Sequence, residues 1–201
     1  MNREYRVFTL YGLPVSVGPG FLPGTGLTIA ALAALGLLAF GFGLPSALAG
    51  AIAATALMWL SELAHQLGHA IAARATGHPM LAISLGRYLV LGTSIYPEHE
   101  GELAPAIHIR RAVGGPIASL IVAGIALPFA LALRPGGGVP FAVAAFVFLL
   151  NFVAYALQIA LPLKFNDGAV IWKYLRPGQT RSRRKPRKTA RSRFPRFARE
   201  S

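Results

Sequence analysis

Residues 45–74 read PSALAGAIAATALMWLSELAHQLGHAIAAR. The run is apolar for most of its length, and its polar groups gather near the end. In Ser61-Glu62-Leu63-Ala64-His65-Gln66-Leu67-Gly68-His69-Ala70 the two histidines are spaced i, i+4. A helix with that spacing carries both imidazoles on one face. The spacing is the metal-binding half of an H-E-x-x-H motif, and Gln66 stands where that motif has its general base.

The rest of the chain agrees with a membrane setting. Of 201 residues, 54% are hydrophobic and 13% charged, about half the charge of an ordinary soluble domain. No Asp, Glu, Lys or Arg lies between Arg6 and Glu62, between Arg111 and Arg134, or from Pro135 to Leu163. Uncharged apolar stretches of more than about 18 residues read as membrane spans. Four are expected, over residues 21–43, 45–74, 112–133 and 140–161, with Gly/Pro turns between the first and second and between the third and fourth. Residues 5–17 and two pieces of the long connection, 81–85 and 88–91, read as short strands. The expected fold is an all-α polytopic membrane protein of about four transmembrane helices, with a short N-terminal β segment and a small β-containing cytoplasmic loop. Its divisions are a surface strand segment (1–20), a transmembrane core (21–176) and a disordered basic tail (177–201). The chain has no cysteine, which excludes disulfides and thiolate metal sites.

Basic residues set the expected orientation. The net charge of +13 is concentrated after residue 175, where eleven Lys or Arg face only Glu200. Such a tail stays cytoplasmic, and four spans then bring the N-terminus to the same side. The connection flanked by Arg74, Arg87, Arg110 and Arg111 also falls there. In this topology His65 and His69 lie towards the cytoplasmic end of the second span. Asp167, beyond Pro162, lies at the cytoplasmic end of the fourth. Two imidazoles and one carboxylate leave a fourth tetrahedral position open, which is the plan of a catalytic zinc site. Two plainer readings stand beside this one. The histidines could be a buried pair bonded to neighbouring helices, and Asp167 could be a helix N-cap for residues 168–175.

The motifs resemble those of the site-2 proteases, which are intramembrane zinc metalloproteases. Gly12-Leu13-Pro14-Val15 through Phe21 is similar to that family's G-I-P-V…H-P-S-F, with Gly18 where a His is common. His65-Gln66-Leu67-Gly68-His69-Ala70-Ile71-Ala72-Ala73-Arg74 is similar to H-E-L-G-H-A-x-A-A-R, and Gly114-Gly115-Pro116-Ile117-Ala118-Ser119 to A-G-P-x-x-N/S. Pro162 to Gly168 keeps the Pro-to-Asp-Gly spacing of N-L-L-P-x-x-P-L-D-G. The resemblance implies His65, His69 and Asp167 as ligands of Zn2+. It also implies hydrolysis of a peptide bond in or near a client's transmembrane helix. The chain departs from the pattern at Gln66, at Ile159 in place of Asn, and at Phe165 in place of the second Pro.

An amide cannot accept a proton at neutral pH. Loss of general acid–base help costs about 10²–10⁴ in rate. Gln66 therefore predicts an intact metal site with severely impaired turnover, whether the substitution is natural or engineered. Glu62, one turn earlier on the same face, is the candidate surrogate base or the partner that orients His65; the plainer reading is a buried acid satisfied by nearby donors. His78, His99 and His108 read as solvated or structural, and Met58 and Trp59 as lipid or core contacts. Gly114, Gly115 and Pro116 read as close helix packing.

The expected partners are a transmembrane protein client and the lipid bilayer. The tail reads first as a topology determinant, next as a surface for anionic lipids, and last as a nucleic-acid binder. The competing functions are a non-catalytic pseudoprotease that binds transmembrane clients and a structural membrane protein with a lipid- or nucleic-acid-binding tail.

Overall fold

The computed structural model of the chain describes residues 4–163 and 166–175. The basic tail expected over 177–201, and Phe165, lie outside the described residues. Two strands, β1 (Tyr5–Leu10) and β2 (Leu13–Val17), precede the helices α1 (Phe21–Leu38) and α2 (Leu44–Ala75). Strands β3 (Ala82–Tyr88) and β4 (Leu91–Ile95) follow, then α3 (Pro105–Leu133) and α4 (Gly138–Leu149). Helix α4 runs on as a π-helical segment (Leu150–Ala156) and a 3₁₀ turn (Leu157–Ala160), and a short α5 (Asp167–Leu175) ends the described chain.

Four of these helical stretches are long and apolar enough to cross a membrane. They are apolar over most of their surface, and the polar groups of α2 near its end (Ser61, Glu62, His65, Gln66, His69) are buried. This is an integral membrane protein of the expected class. Pro45 in the first turn of α2 and Pro105 in that of α3 pre-set the helical φ where the missing N–H is not needed. Pro105 is also why α3 begins seven residues before the expected start at Ala112, which takes His108, Arg110 and Arg111 into the helix. The first span stops earlier than expected, at Leu38, and Gly41 turns the chain at φ +64°.

The four strands form one sheet in the order β1-β2-β3-β4. The two hairpins are antiparallel, and β2 pairs parallel with β3 through Val15–Ile83, Ser16–Ser84 and Val17–Leu85. The N-terminal segment and the long connection therefore lie together at one end of the helices. One strand assignment needs correction. Residues 88–91 are not a strand of their own: Tyr88 ends β3, Leu89 (φ +54°) and Val90 form the turn, and the fourth strand is Leu91–Ile95. Aliphatic residues at a hairpin tip gave the false strand signal.

The buried core joins the sheet to the second half of α2. Val15, Ile83 and Leu85 pack with Met58, Trp59, Ala70 and Ala73. Trp59 also donates to Thr25 Oγ1 (2.9 Å), which ties α2 to α1. Helices α2 and α3 meet at two glycines. A Cβ on Gly68 would strike the Gly114 carbonyl, and a Cβ on Gly114 the Gly68 carbonyl. The backbones can approach this closely only because both side chains are absent. Asn151, fully buried in the π-helical segment, donates to Ser61 Oγ and Val147 O (both 2.9 Å) and pins the last span to α2.

Candidate metal centre

At about 1.5 Å per residue, His65 and His69 sit some 32–38 Å from the start of α2, near the far edge of a hydrocarbon layer about 30 Å thick. Both are buried, and α3 aims both. His69 Nδ1 lies 2.8 Å from the Arg111 carbonyl oxygen. A carbonyl can only accept, so Nδ1 carries the proton and Nε2 presents its lone pair. The Gly115 amide, 3.3 Å from the same nitrogen, makes the longer and weaker contact. His65 Nδ1 lies 2.9 Å from Ser119 Oγ. Gly115 faces the two rings, and a Cβ there would run into Nε2 of both.

Asp167 arrives from the other side, on the first residue of α5. The N-cap role considered for it belongs to Asn166, whose Oδ1 accepts from the Ala169 amide (3.0 Å). Asn166 Nδ2 donates to the carbonyls of Gln158 (3.0 Å) and Leu161 (2.9 Å), which fixes the chain as it leaves the membrane-spanning helix. Gly168 packs so tightly on those same carbonyls that no Cβ fits. The Asp167 carboxylate is thereby free to face the histidines.

The three groups converge. The Nε2 atoms of His65 and His69 are 3.1 Å apart. His65 Nε2 is 3.2 Å from Asp167 Oδ2, and His69 Nε2 is 3.3 Å from Oδ1. Zinc bonds of about 2.0–2.1 Å in a tetrahedron place neighbouring donor atoms about 3.3–3.4 Å apart. The donor set and its spacing therefore fit a zinc ion, with supporting hydrogen bonds on both Nδ1 atoms as metal-bound histidines require. Among the described residues these are the His, Asp and Glu side chains grouped closely enough to hold a metal. His78, His99 and His108 stay apart, and His108 stacks on Tyr174 at 4.3 Å.

Gln66 and Glu62 form a second layer. The Gln66 amide nitrogen donates to Glu62 Oε1 (3.0 Å), and its Oε1 accepts from Ser94 (2.7 Å). The Gly92 amide donates to the same oxygen (3.0 Å). Glu62 therefore does not orient His65; Ser119 does. Glu62, His65, Gln66, Tyr155 and Asp167 line a cavity of about 590 Å³ between α2, β4 and the π-helical segment. On the opposite side His69 and Asp167 border a smaller space of about 270 Å³ with Tyr96, Glu100 and Arg111.

Arg111 closes that side. Its guanidinium pairs with Glu100, donates to the His78 carbonyl (2.6 Å) and lies over the Tyr96 ring at 4.3 Å. The hydrogen bonds from Arg111 hold the Glu100 carboxyl below its ordinary value. A depressed carboxyl adds stability above the free glutamate pKa and loses it as acid protonates the group. Thermal unfolding in detergent should show Glu100→Gln less stable than wild type at neutral pH. The gap should close on acidification; a gap constant with pH would contradict the pairing.

Sequence reasoning missed Ser119 as the partner of His65, Asn166 as the cap, and Ser94 and Gly92 as the partners of Gln66 and Glu62. Only Ser119 left a trace, as the last residue of the Gly114–Ser119 motif.

No protein-family model matches the chain, and no curated protein matches it. Among solved structures, the Site-2 Protease from Methanocaldococcus jannaschii matches with a TM-score of 0.56 at 16% identity, covering 86% of this chain and 71% of that one. At that identity the likeness is one of fold: four membrane-spanning helices and a small four-stranded sheet, arranged as in a site-2 protease.

Proposed function

We propose that the chain is a zinc-dependent peptide hydrolase of the site-2 protease kind, acting on transmembrane client helices, with His65, His69 and Asp167 as the protein ligands. The observation that carries this reading is the 3.1–3.3 Å convergence of two Nε2 atoms and one carboxylate. Zinc held there supplies a Lewis acid for a peptide carbonyl and lowers the pKa of a water to about 7. The chain's own part is to hold both imidazoles with Nε2 outward, through Ser119 and the Arg111 carbonyl, and to keep the group at the edge of the membrane. The cavity beside it offers Met58, Val90, Leu150 and Ala154 to apolar side chains and the ligand group to the peptide backbone. On this reading both termini are cytoplasmic, and the tail contacts anionic lipid.

Gln66 favours a second reading. Its amide is committed to Ser94 and Glu62 and takes no proton, so a pseudoprotease that holds clients without cutting them uses the same centre. Metal analysis of purified protein tests what the two readings share. One zinc per chain is expected, lost in His65→Ala/His69→Ala; wild type without zinc overturns both. Cleavage of a helical client in liposomes separates them. Ser119→Ala should keep the fold and weaken zinc about 10–100-fold in competition with a chelator. An unchanged affinity would remove Ser119 from the support of His65.

A further inference from the structure

We propose that Glu62 is the general base of this centre, relocated one helical turn from the position that Gln66 now occupies. The inference rests on the hydrolase reading above.

Glu62 is 4% exposed, yet among the described residues no lysine or arginine is paired with it. An acid buried in a membrane-spanning helix without a counter-cation is expensive, and such residues mark function. Its carboxylate is held by neutral donors, the Gly92 amide and the Gln66 side chain, both on Oε1. The strand leaves no slack: a Cβ on Gly92 would collide with that oxygen. The carboxylate lines the cavity that also exposes His65, His69 and Asp167. Tyr155, on the π-helical segment, also hydrogen-bonds to the Glu62 carboxyl, and its ring lies 5.3 Å from the His65 ring. π-Helical turns are frequent at functional sites because they re-aim side chains.

The direction of the Gln66 amide is the telling detail. The Ser94 hydroxyl could donate or accept, but Glu62 Oε1, which also takes the Gly92 amide, accepts; that draws the Gln66 nitrogen to Glu62 and leaves its oxygen to Ser94. Gln66 is thus a neutral donor that holds Glu62 in place. Glutamate at position 66 would set two carboxyl groups at hydrogen-bond distance, where one must hold a proton. Gln66→Glu alone is therefore not a clean restoration of an H-E-x-x-H site. The compatible change is the exchange Glu62→Gln/Gln66→Glu, which keeps one acid and one amide in contact.

In the reaction, a water in the cavity gives a proton to Glu62, directly or through one intervening water, as its oxygen bonds to the scissile carbonyl carbon. The C–N bond then breaks. Glu62 passes that proton to the departing nitrogen, which leaves as an amine, and the acyl side leaves as a carboxylic acid. Glu62 is again a carboxylate.

The experiment uses the full chain, zinc-loaded, with a helical client in liposomes, in wild type, Glu62→Gln and the exchange variant. Zinc content should be the same in all three. Wild type should cleave, and Glu62→Gln should be slower by about 10²–10⁴-fold. A hydroxamate probe supplies a readout apart from turnover. In wild type its proton passes to Glu62, so calorimetry in buffers of different ionisation enthalpy should show no net proton release. In Glu62→Gln one proton should go to the buffer, with binding weaker by about 10–100-fold. Equal cleavage and equal proton release in wild type and Glu62→Gln overturn the proposal. Cleavage by the exchange variant but not by wild type also overturns it, while leaving the hydrolase reading intact. Zinc-loaded protein that cleaves in no variant overturns the hydrolase reading itself.

Discussion

A Gly115→Ala protein is expected to fold and to lose its zinc. Position 115 is where the backbone of α3 presses on the two imidazoles, and the new Cβ would overlap Nε2 of both His65 and His69. The rings cannot yield sideways, because Nδ1 of one is held by Ser119 and of the other by the Arg111 carbonyl. Either the helices part or the rings turn. The first costs about 1–3 kcal/mol of overpacking. The second moves ligand atoms well beyond the roughly 0.2 Å that a zinc site tolerates. Zinc affinity should fall by about 100-fold or more, read by chelator competition, with helix content by circular dichroism unchanged. Gly124→Ala is the matched control: it lies on the same helix, and its added Cβ meets nothing within 4 Å. If both variants bind zinc like wild type, the imidazoles do not meet α3 as described.

Asp167→Asn should have an effect of similar size by another route. Structural zinc sites bind with about 10–16 kcal/mol in total, or about 2.5–4 kcal/mol for each of four ligands. Loss of one ligand is then worth about 10²–10³ in affinity. Asparagine keeps the shape, and the Asn166 cap that starts α5 is untouched, so the loss isolates the charge. Asn166→Ala should act differently. It removes the cap and both tethers to Gln158 and Leu161, costs about 0.5–2 kcal/mol of local stability, and weakens zinc only as far as Asp167 drifts. Equal zinc affinity in wild type and Asp167→Asn would take the carboxylate out of the ligand set.

The local parts of this protein were legible because their signals are local. Three long uncharged stretches, the first divided by a Gly/Pro turn, mark the four spanning helices, and Pro45 marks the start of the second. The i, i+4 spacing puts His65 and His69 on one face without any knowledge of neighbours. Depth reasoning from charge brought Asp167 to the same level, across about a hundred residues of sequence. Boundaries failed where the same residue types serve two ends. Leu89 reads as strand but closes a turn, and residues 105–111 read as loop although they open α3.

What only the tertiary structure decided is which groups touch. A β2–β3 pairing between residues 15–17 and 83–85, a Gly68–Gly114 crossing, and a glycine under two imidazoles all depend on how closely backbones approach. No periodicity encodes that distance. The same holds for proton chemistry. The sequence shows that Gln66 cannot be a base; it does not show that the Gln66 amide lies between Ser94 and Glu62, or that Gly92 holds the acid beside it. Residue type and spacing set what each side chain can do. Helix crossings and strand register, set by steric fit over long separations, decide for whom it does it.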